Sequence, residues 1–191
     1  MMGRTHDLAT FTALTYVVAT QAPQPVSLAT GITALLMGLV GGLTPDIDQP
    51  TADLWRKFPA GSVIGRIFYP FLGGHRNISH SIVGVLFFAW LSKFLFTRIG
   101  TVVLVDMNIV WYSFMIGYIT HLITDSFTQE GVPWLFPIPF KFGIPPLRFL
   151  RIKTASFMEK SVIFPGLLFT NAYLYYRYYE KFLDIIRNYI K

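Results

Sequence analysis

His121 and Asp125 stand four residues apart at the end of an apolar run, a spacing that puts an imidazole and a carboxylate on one helix face, a turn apart. Neutral imidazole and carboxylate together are common ligands of zinc, manganese and iron. A helix-end histidine bonded to a carboxylate would give the same pattern, so the pair gains its weight from its company. Asp46 and Asp48 flank Ile47 between Pro45 and Pro50, which places them in a turn. Two carboxylates so close repel unless a cation neutralises them, and a helix N-cap accounts for one of them but not both. His75 and His80 lie in Gly73-Gly74-His75-Arg76-Asn77-Ile78-Ser79-His80-Ser81. The glycines permit a sharp turn toward a site, His80 falls in the first turn of the next helix, and Ser79 or Ser81 can cap it. Arg76 carries the planar fork that meets a phosphate bidentately. His6 and Glu159 complete the set. His6 reads as a ligand or an interfacial side chain. Glu159 reads as a ligand, a general base or an outer partner that fixes a histidine tautomer. Glu130, in a loop, reads as solvated.

The elements that must position these groups are apolar. Five stretches stand out: 8–20, 26–43, 78–96, 102–124 and 161–176. A span needs about 20 apolar residues, so 78–96 and 102–124 pass unaided, while 8–20 and 161–176 are tilted, partly inserted or packed in a helical core. The stretch 26–43 is rich in glycine (Gly31, Gly38, Gly41, Gly42), which lets backbones approach closely. Between 49 and 74, Leu54, Trp55 and Phe58 mix with Arg56, Lys57 and Arg66, a composition suited to a helix lying in the interface. The segment 126–154 holds Pro133, Pro137, Pro139, Pro145 and Pro146 and is expected to be an extended loop. The expected fold is all-α: a single domain over 1–191, built as a membrane-embedded bundle of about four to five apolar helices plus an interfacial helix. A soluble all-helical bundle is the competing reading.

Topology sharpens the site. If each stretch crosses once, His6, Asp46, Asp48, His75, His80, His121, Asp125 and Glu159 all fall on one side. The same side carries most of the basic residues, which makes it cytoplasmic by the positive-inside rule. Hydrophobic residues are 53% of the chain and charged ones 14%, against about 25% charged in soluble domains. There is no cysteine, so neither disulfides nor a thiolate zinc site can form. The net charge of +6 is interleaved with apolar residues, which fits anionic lipid headgroups and gives no expectation of direct nucleic-acid binding. No basic n-region or small-residue cleavage site marks the first helix for removal.

Three motifs together resemble the YdjM-like family, metal-dependent hydrolases associated with the inner membrane, one of which is described as binding the LexA repressor. They are Leu43-Thr44-Pro45-Asp46-Ile47-Asp48-Gln49-Pro50, Gly74-His75-Arg76 with Ser79-His80-Ser81, and Gly117-Tyr118-Ile119-Thr120-His121-Leu122-Ile123-Thr124-Asp125. The likeness continues through Thr128, Gly131-Val132-Pro133, Trp134 and Pro137 to Glu159. Gln49 departs from it, standing where a histidine often follows the two aspartates. The family is in turn distantly similar to zinc-dependent phospholipase C, an all-helical fold whose ions are held by aspartates and histidines. That similarity implies a divalent metal, zinc first with manganese or iron as alternatives, in one to three ions. It implies Asp48, His80 or His75, His121 and Asp125 around one ion, with His6, Asp46 and Glu159 close by. The expected activity is hydrolysis of a lipid or lipid-linked phosphoester at the cytoplasmic membrane of a bacterium or archaeon, with Glu159 as a catalytic candidate. Arg76, Arg148 and Arg151 would neutralise the phosphate, and Trp134, Phe136 and Phe140 would line the lipid entry. The alternative is a membrane scaffold whose structural metal site recruits a cytosolic regulatory protein. Transport is disfavoured, because the ligands gather at one membrane edge rather than mid-bilayer.

Overall fold

The computed structural model describes residues 1–21, 26–49, 55 and 77–190. Six α-helices carry the architecture among them: α1 (Gly3–Gln21), α2 (Leu28–Leu43), α3 (Ile82–Ile99), α4 (Met107–Ser126), α5 (Phe164–Arg177) and α6 (Tyr179–Ile190). Their starts follow local chemistry. The side chains of Ser27, Ser81 and Asp106 accept hydrogen bonds from backbone amides of the first turns of α2, α3 and α4, satisfying donors that no helical carbonyl reaches.

Small residues decide how close the helices come. A Cβ placed on Gly117 of α4 would lie 1.9 Å from the Gly38 carbonyl oxygen, and one on Gly41 would lie 2.0 Å from the Phe114 carbonyl oxygen. The α2 and α4 backbones therefore touch, with α1 packed against both. The buried apolar core runs through Phe88, Phe114, Met115, Tyr118, Leu122 and Val132. Outside it, α3 exposes Leu86, Phe87, Trp90 and Phe94, a face suited to lipid rather than water.

The bundle is all-α, and the expectation of about four to five membrane-length apolar helices is corrected. Among the described residues two helical segments are long and apolar enough to cross a membrane, Leu28–Asp48 and Ile82–Ile99. The reason lies in the other helices' inward polar groups. Buried positions of α1 include Thr5, His6, Thr10 and Thr15, and those of α4 include Ser113, His121, Asp125 and Ser126, so α4, which the sequence reads as a span, is a core helix. The expected interfacial helix falls on residues outside those described, apart from Gln49 and Trp55.

Three irregular pieces carry the ends of the site. A 3-10 turn, Thr44–Asp48, continues α2 and holds both aspartates, and the Trp55 indole donates to the Ile47 carbonyl at 3.1 Å. The first turn of α3 presses on the segment before it, since a Cβ on Gly84 would meet the Ile78 carbonyl oxygen at 2.1 Å. A π-helical turn, Glu159–Ile163, leads into α5. No strand forms among the described residues. The proline-rich loop is held by isolated bridges pairing Thr128 with Ile152 and Val132 with Phe142.

Candidate metal centre

His121 is buried at the last turns of α4, and its Nδ1 lies 2.6 Å from the Gly42 carbonyl oxygen. A carbonyl only accepts, so Nδ1 carries the proton and Nε2 presents its lone pair. The same logic orients the other two rings. The Thr124 hydroxyl donates to helix carbonyls and so accepts from His6 Nδ1 at 2.8 Å. The Ser79 hydroxyl donates to Asp48 Oδ2 at 2.5 Å and so accepts from His80 Nδ1 at 3.1 Å. Tyr118 anchors this arm by donating to the Ser79 carbonyl. Three imidazoles thus turn Nε2 toward one interior, each oriented through its other nitrogen, as metal-bound histidines are.

The carboxylates meet them there. Nε2 of His80 lies 3.7 Å from Asp46 Oδ1 and 3.9 Å from Asp125 Oδ2. Nε2 of His121 lies 3.6 Å from Asp46 Oδ1 and 3.7 Å from Asp125 Oδ2. His6 Nε2 is 3.2 Å from Asp125 Oδ1, and the His6 ring stacks on His121 with centroids 3.8 Å apart. Two triads have ligand atoms within 4.8 Å of one another: His6, His121 and Asp125, and Asp46, His80 and His121. A tetrahedral ion with ligands about 2.0–2.1 Å away holds them about 3.3–3.4 Å apart, so the nitrogen–oxygen separations of 3.2–3.9 Å fit an ion after shifts of a few tenths of an ångström. The Nε2 atoms of His6 and His121 are buried with no hydrogen-bond partner. Such a nitrogen is costly unless a cation or donor meets it. Because one Nε2 has one lone pair, His121 serves one ion, and the triads are two ways of completing its shell. The donor set is nitrogen and oxygen alone, which suits a divalent ion without distinguishing zinc from manganese or iron.

Both ends of the charge balance are set by burial. Desolvation, with His6 beside it, pushes the His121 imidazole well below its usual range and keeps it in the neutral, ligating form. Burial opposes the charge on Asp125, but its contact with His6 holds the carboxyl well below the usual range, which requires a proton or a cation on the Nε2 side of that ring. The N-terminal ammonium, on Met1, lies 2.6 Å from Asp125 Oδ1. Both residues close α4, which is outside the two membrane-length segments.

Not every expected ligand joins the cluster. Asp48 sits behind His80 on its Nδ1 side, bound by Ser79. Glu159 is fully buried, and its two oxygens accept from the backbone amides of Met2 and Ala155 at 2.7 Å each. It secures the start of α1, and through it His6. Arg151 donates to the carbonyls of Pro145 and Pro146 at 2.7 and 2.8 Å, which makes it a strut of the proline loop. Arg148 and Phe140 are exposed, and Phe136 is half-buried. Trp134 is half-buried, its indole on the Ser126 hydroxyl at 3.1 Å and its carbonyl accepting from Ile82 at 2.9 Å. His75 and Arg76 lie outside the described residues. The outer partners Tyr118 and Thr124 could have been read from their positions three residues either side of His121. The Gly42 carbonyl left no signal in the sequence.

The family described as YdjM inner membrane protein matches residues 1–182. The chain belongs to that family. Among relatives, it is 32% identical over 177 residues to the uncharacterized protein YvsG of Bacillus subtilis (strain 168), covering 92% of this chain and 95% of YvsG. It is 34% identical over 106 residues to inner membrane protein YdjM of Escherichia coli (strain K12), covering 55% of this chain and 50% of that protein. No solved structure matches, so the phospholipase C-like architecture expected from the sequence finds no support. Family membership and the two membrane-length helices make this a membrane-associated protein, and its histidine–aspartate cluster is able to bind a metal ion.

Proposed function

We propose that the chain is a membrane-bound, metal-dependent hydrolase that cleaves a phosphoester of a lipid or lipid-linked substrate at the cytoplasmic face. The observation that carries this reading is the asymmetry of the cluster. His80, His121 and Asp125 are at most 1% exposed, whereas Asp46 is 28% exposed. A metal centre with one open edge has room for water and substrate, while structural sites are closed by protein ligands. A divalent ion held there supplies Lewis acidity and hydroxide at neutral pH.

The chain's own residues divide the remaining work. Asp46, His80 and His121 would hold the ion and leave a position open, while Asp125 and His6 support it from the buried side. Asp48 orients His80 through Ser79, and Glu159 is a positioning residue that fixes the approach of α1. Arg76 and the exposed Arg148 are the cations we assign to meeting a phosphate. Membrane association through an apolar helix such as α3 would make lipid headgroups the phosphoesters at hand. The rival reading, a scaffold that recruits a cytosolic protein, draws on the near-complete burial of His80, His121 and Asp125.

Detergent-purified protein should carry at least one equivalent of transition metal by elemental analysis, and release diglyceride and glycerol phosphate from phosphatidylglycerol vesicles until chelator is added. Re-addition of zinc or manganese should restore turnover. Metal bound without turnover on any phosphoester would favour the scaffold, and absence of bound metal would end both readings.

A further inference from the structure

A cavity of about 890 Å³ opens at the far end of the helices that carry the metal centre. Its deep wall is Leu14, Ala34 and Ile116, from α1, α2 and α4, and its mouth is covered by Phe182 and Ile185 of α6. The Lys181 ammonium fastens α6 there by donating to the Ala19 carbonyl at 2.7 Å, and Tyr175 packs on Phe182. Toward His121 the α2 and α4 backbones touch at Gly38 and Gly117, which walls the cavity off from the metal centre.

We propose that this cavity binds a hydrocarbon chain of a membrane lipid. Its volume lies within the about 300–1,000 Å³ of ligand sites, and its lining is mostly apolar. Apolar walls do not hold ordered water, and a void of this size forfeits dispersion contacts along its whole surface. The supply of chains is adjacent. One face of α2 lines the cavity at Ala34 and Leu35, while Ile32, Leu36 and Val40 point outward, exposed, on a helix long and apolar enough to cross a membrane. Leu35 is itself 38% exposed, so it borders both spaces. The depth also fits. From Phe11 to Gln21, both lining residues, α1 rises about 15 Å, half the roughly 30 Å hydrocarbon thickness and so the reach of one leaflet's chains. This inference does not rest on the hydrolase reading, because the glycine contact separates the two sites.

Native mass spectrometry of full-length protein, exchanged into detergent after reconstitution with palmitoyl-oleoyl-phosphatidylglycerol, should show one retained lipid per chain. Ala34→Phe or Ile116→Trp, which fill the deep wall, should lower that occupancy at least tenfold while metal content stays at the wild-type level. A diazirine in the acyl chain of the same lipid supplies a test that needs no variant, and it should label residues of the cavity wall on α1 and α4. Wild type without retained lipid, variants that retain it undiminished, or label confined to the outward faces of α2 and α3 would each overturn the proposal.

Discussion

The same three helices are packed in opposite ways at their two ends. Toward His121, α1, α2 and α4 meet at Gly38, Gly41, Gly42 and Gly117, and each of the three imidazoles among the described residues is held through a hydrogen bond on its Nδ1. Toward Ser27 and Ile109, the same helices part around a cavity of about 890 Å³, where Leu14, Ile109, Tyr112 and Ile116 face Gly31 and Ala34. Glycine on both sides of a crossing brings backbone to backbone, which fixes carbonyls such as that of Gly42 firmly enough to orient a ring. Side chains at the crossing would hold the helices apart and leave room for a guest. Rigidity at one end and volume at the other thus follow from where the small residues sit.

Breaking the closed end at its seam should have the largest effect. Gly117→Leu would drive a side chain into the Gly38 carbonyl, 1.9 Å from where its Cβ must lie. The expected loss is more than about 3 kcal/mol, the upper end of ordinary overpacking, read as a lowered unfolding midpoint in detergent together with loss of bound metal. An unshifted midpoint would mean that the helices can separate cheaply. Next, His121→Ala should reduce metal affinity by more than about 100-fold, beyond what outer partners contribute, with helix content by circular dichroism unchanged. Retained stoichiometric metal in this variant would exclude the cluster as its site. Ser79→Ala cuts the link from Asp48 to His80 while leaving both in place, so metal titration should show a loss of about 10–100-fold. Wild-type affinity there would show that His80 keeps its orientation without the hydroxyl. The smallest effect belongs to a position outside both ends. A Cβ on Gly166 of α5 meets nothing within 4 Å, so Gly166→Ala should raise stability by about 0.5–1 kcal/mol and leave metal binding alone.

The candidate site was readable because imidazoles and carboxylates are scarce in this chain and stand at the edges of its apolar runs. His121 and Asp125 carried their geometry in their spacing. His6, Asp46, Asp48, His80 and Glu159 do lie at their end of the bundle, although the five single crossings from which the sequence put them on one side are not what the structure shows. Their division of labour was not readable. Asp48 faces the protonated side of His80 and Glu159 grips two backbone amides, arrangements set by contacts between segments far apart in sequence. The helical class was equally plain from the apolar runs, but the number of spans was not. Whether a run such as that of α4 faces lipid or its neighbours depends on packing, and its buried Ser113 and Ser126 are polar because α4 lies inside the bundle.

His6 and Thr124 hydrogen-bond across 118 residues of chain. At about 5–20 residues per second, the ribosome releases the histidine roughly 6–24 s before its partner. Throughout that interval the first imidazole has neither its Thr124 acceptor nor Asp125 beside it, so the full set of candidate ligands can assemble only after translation has passed α4.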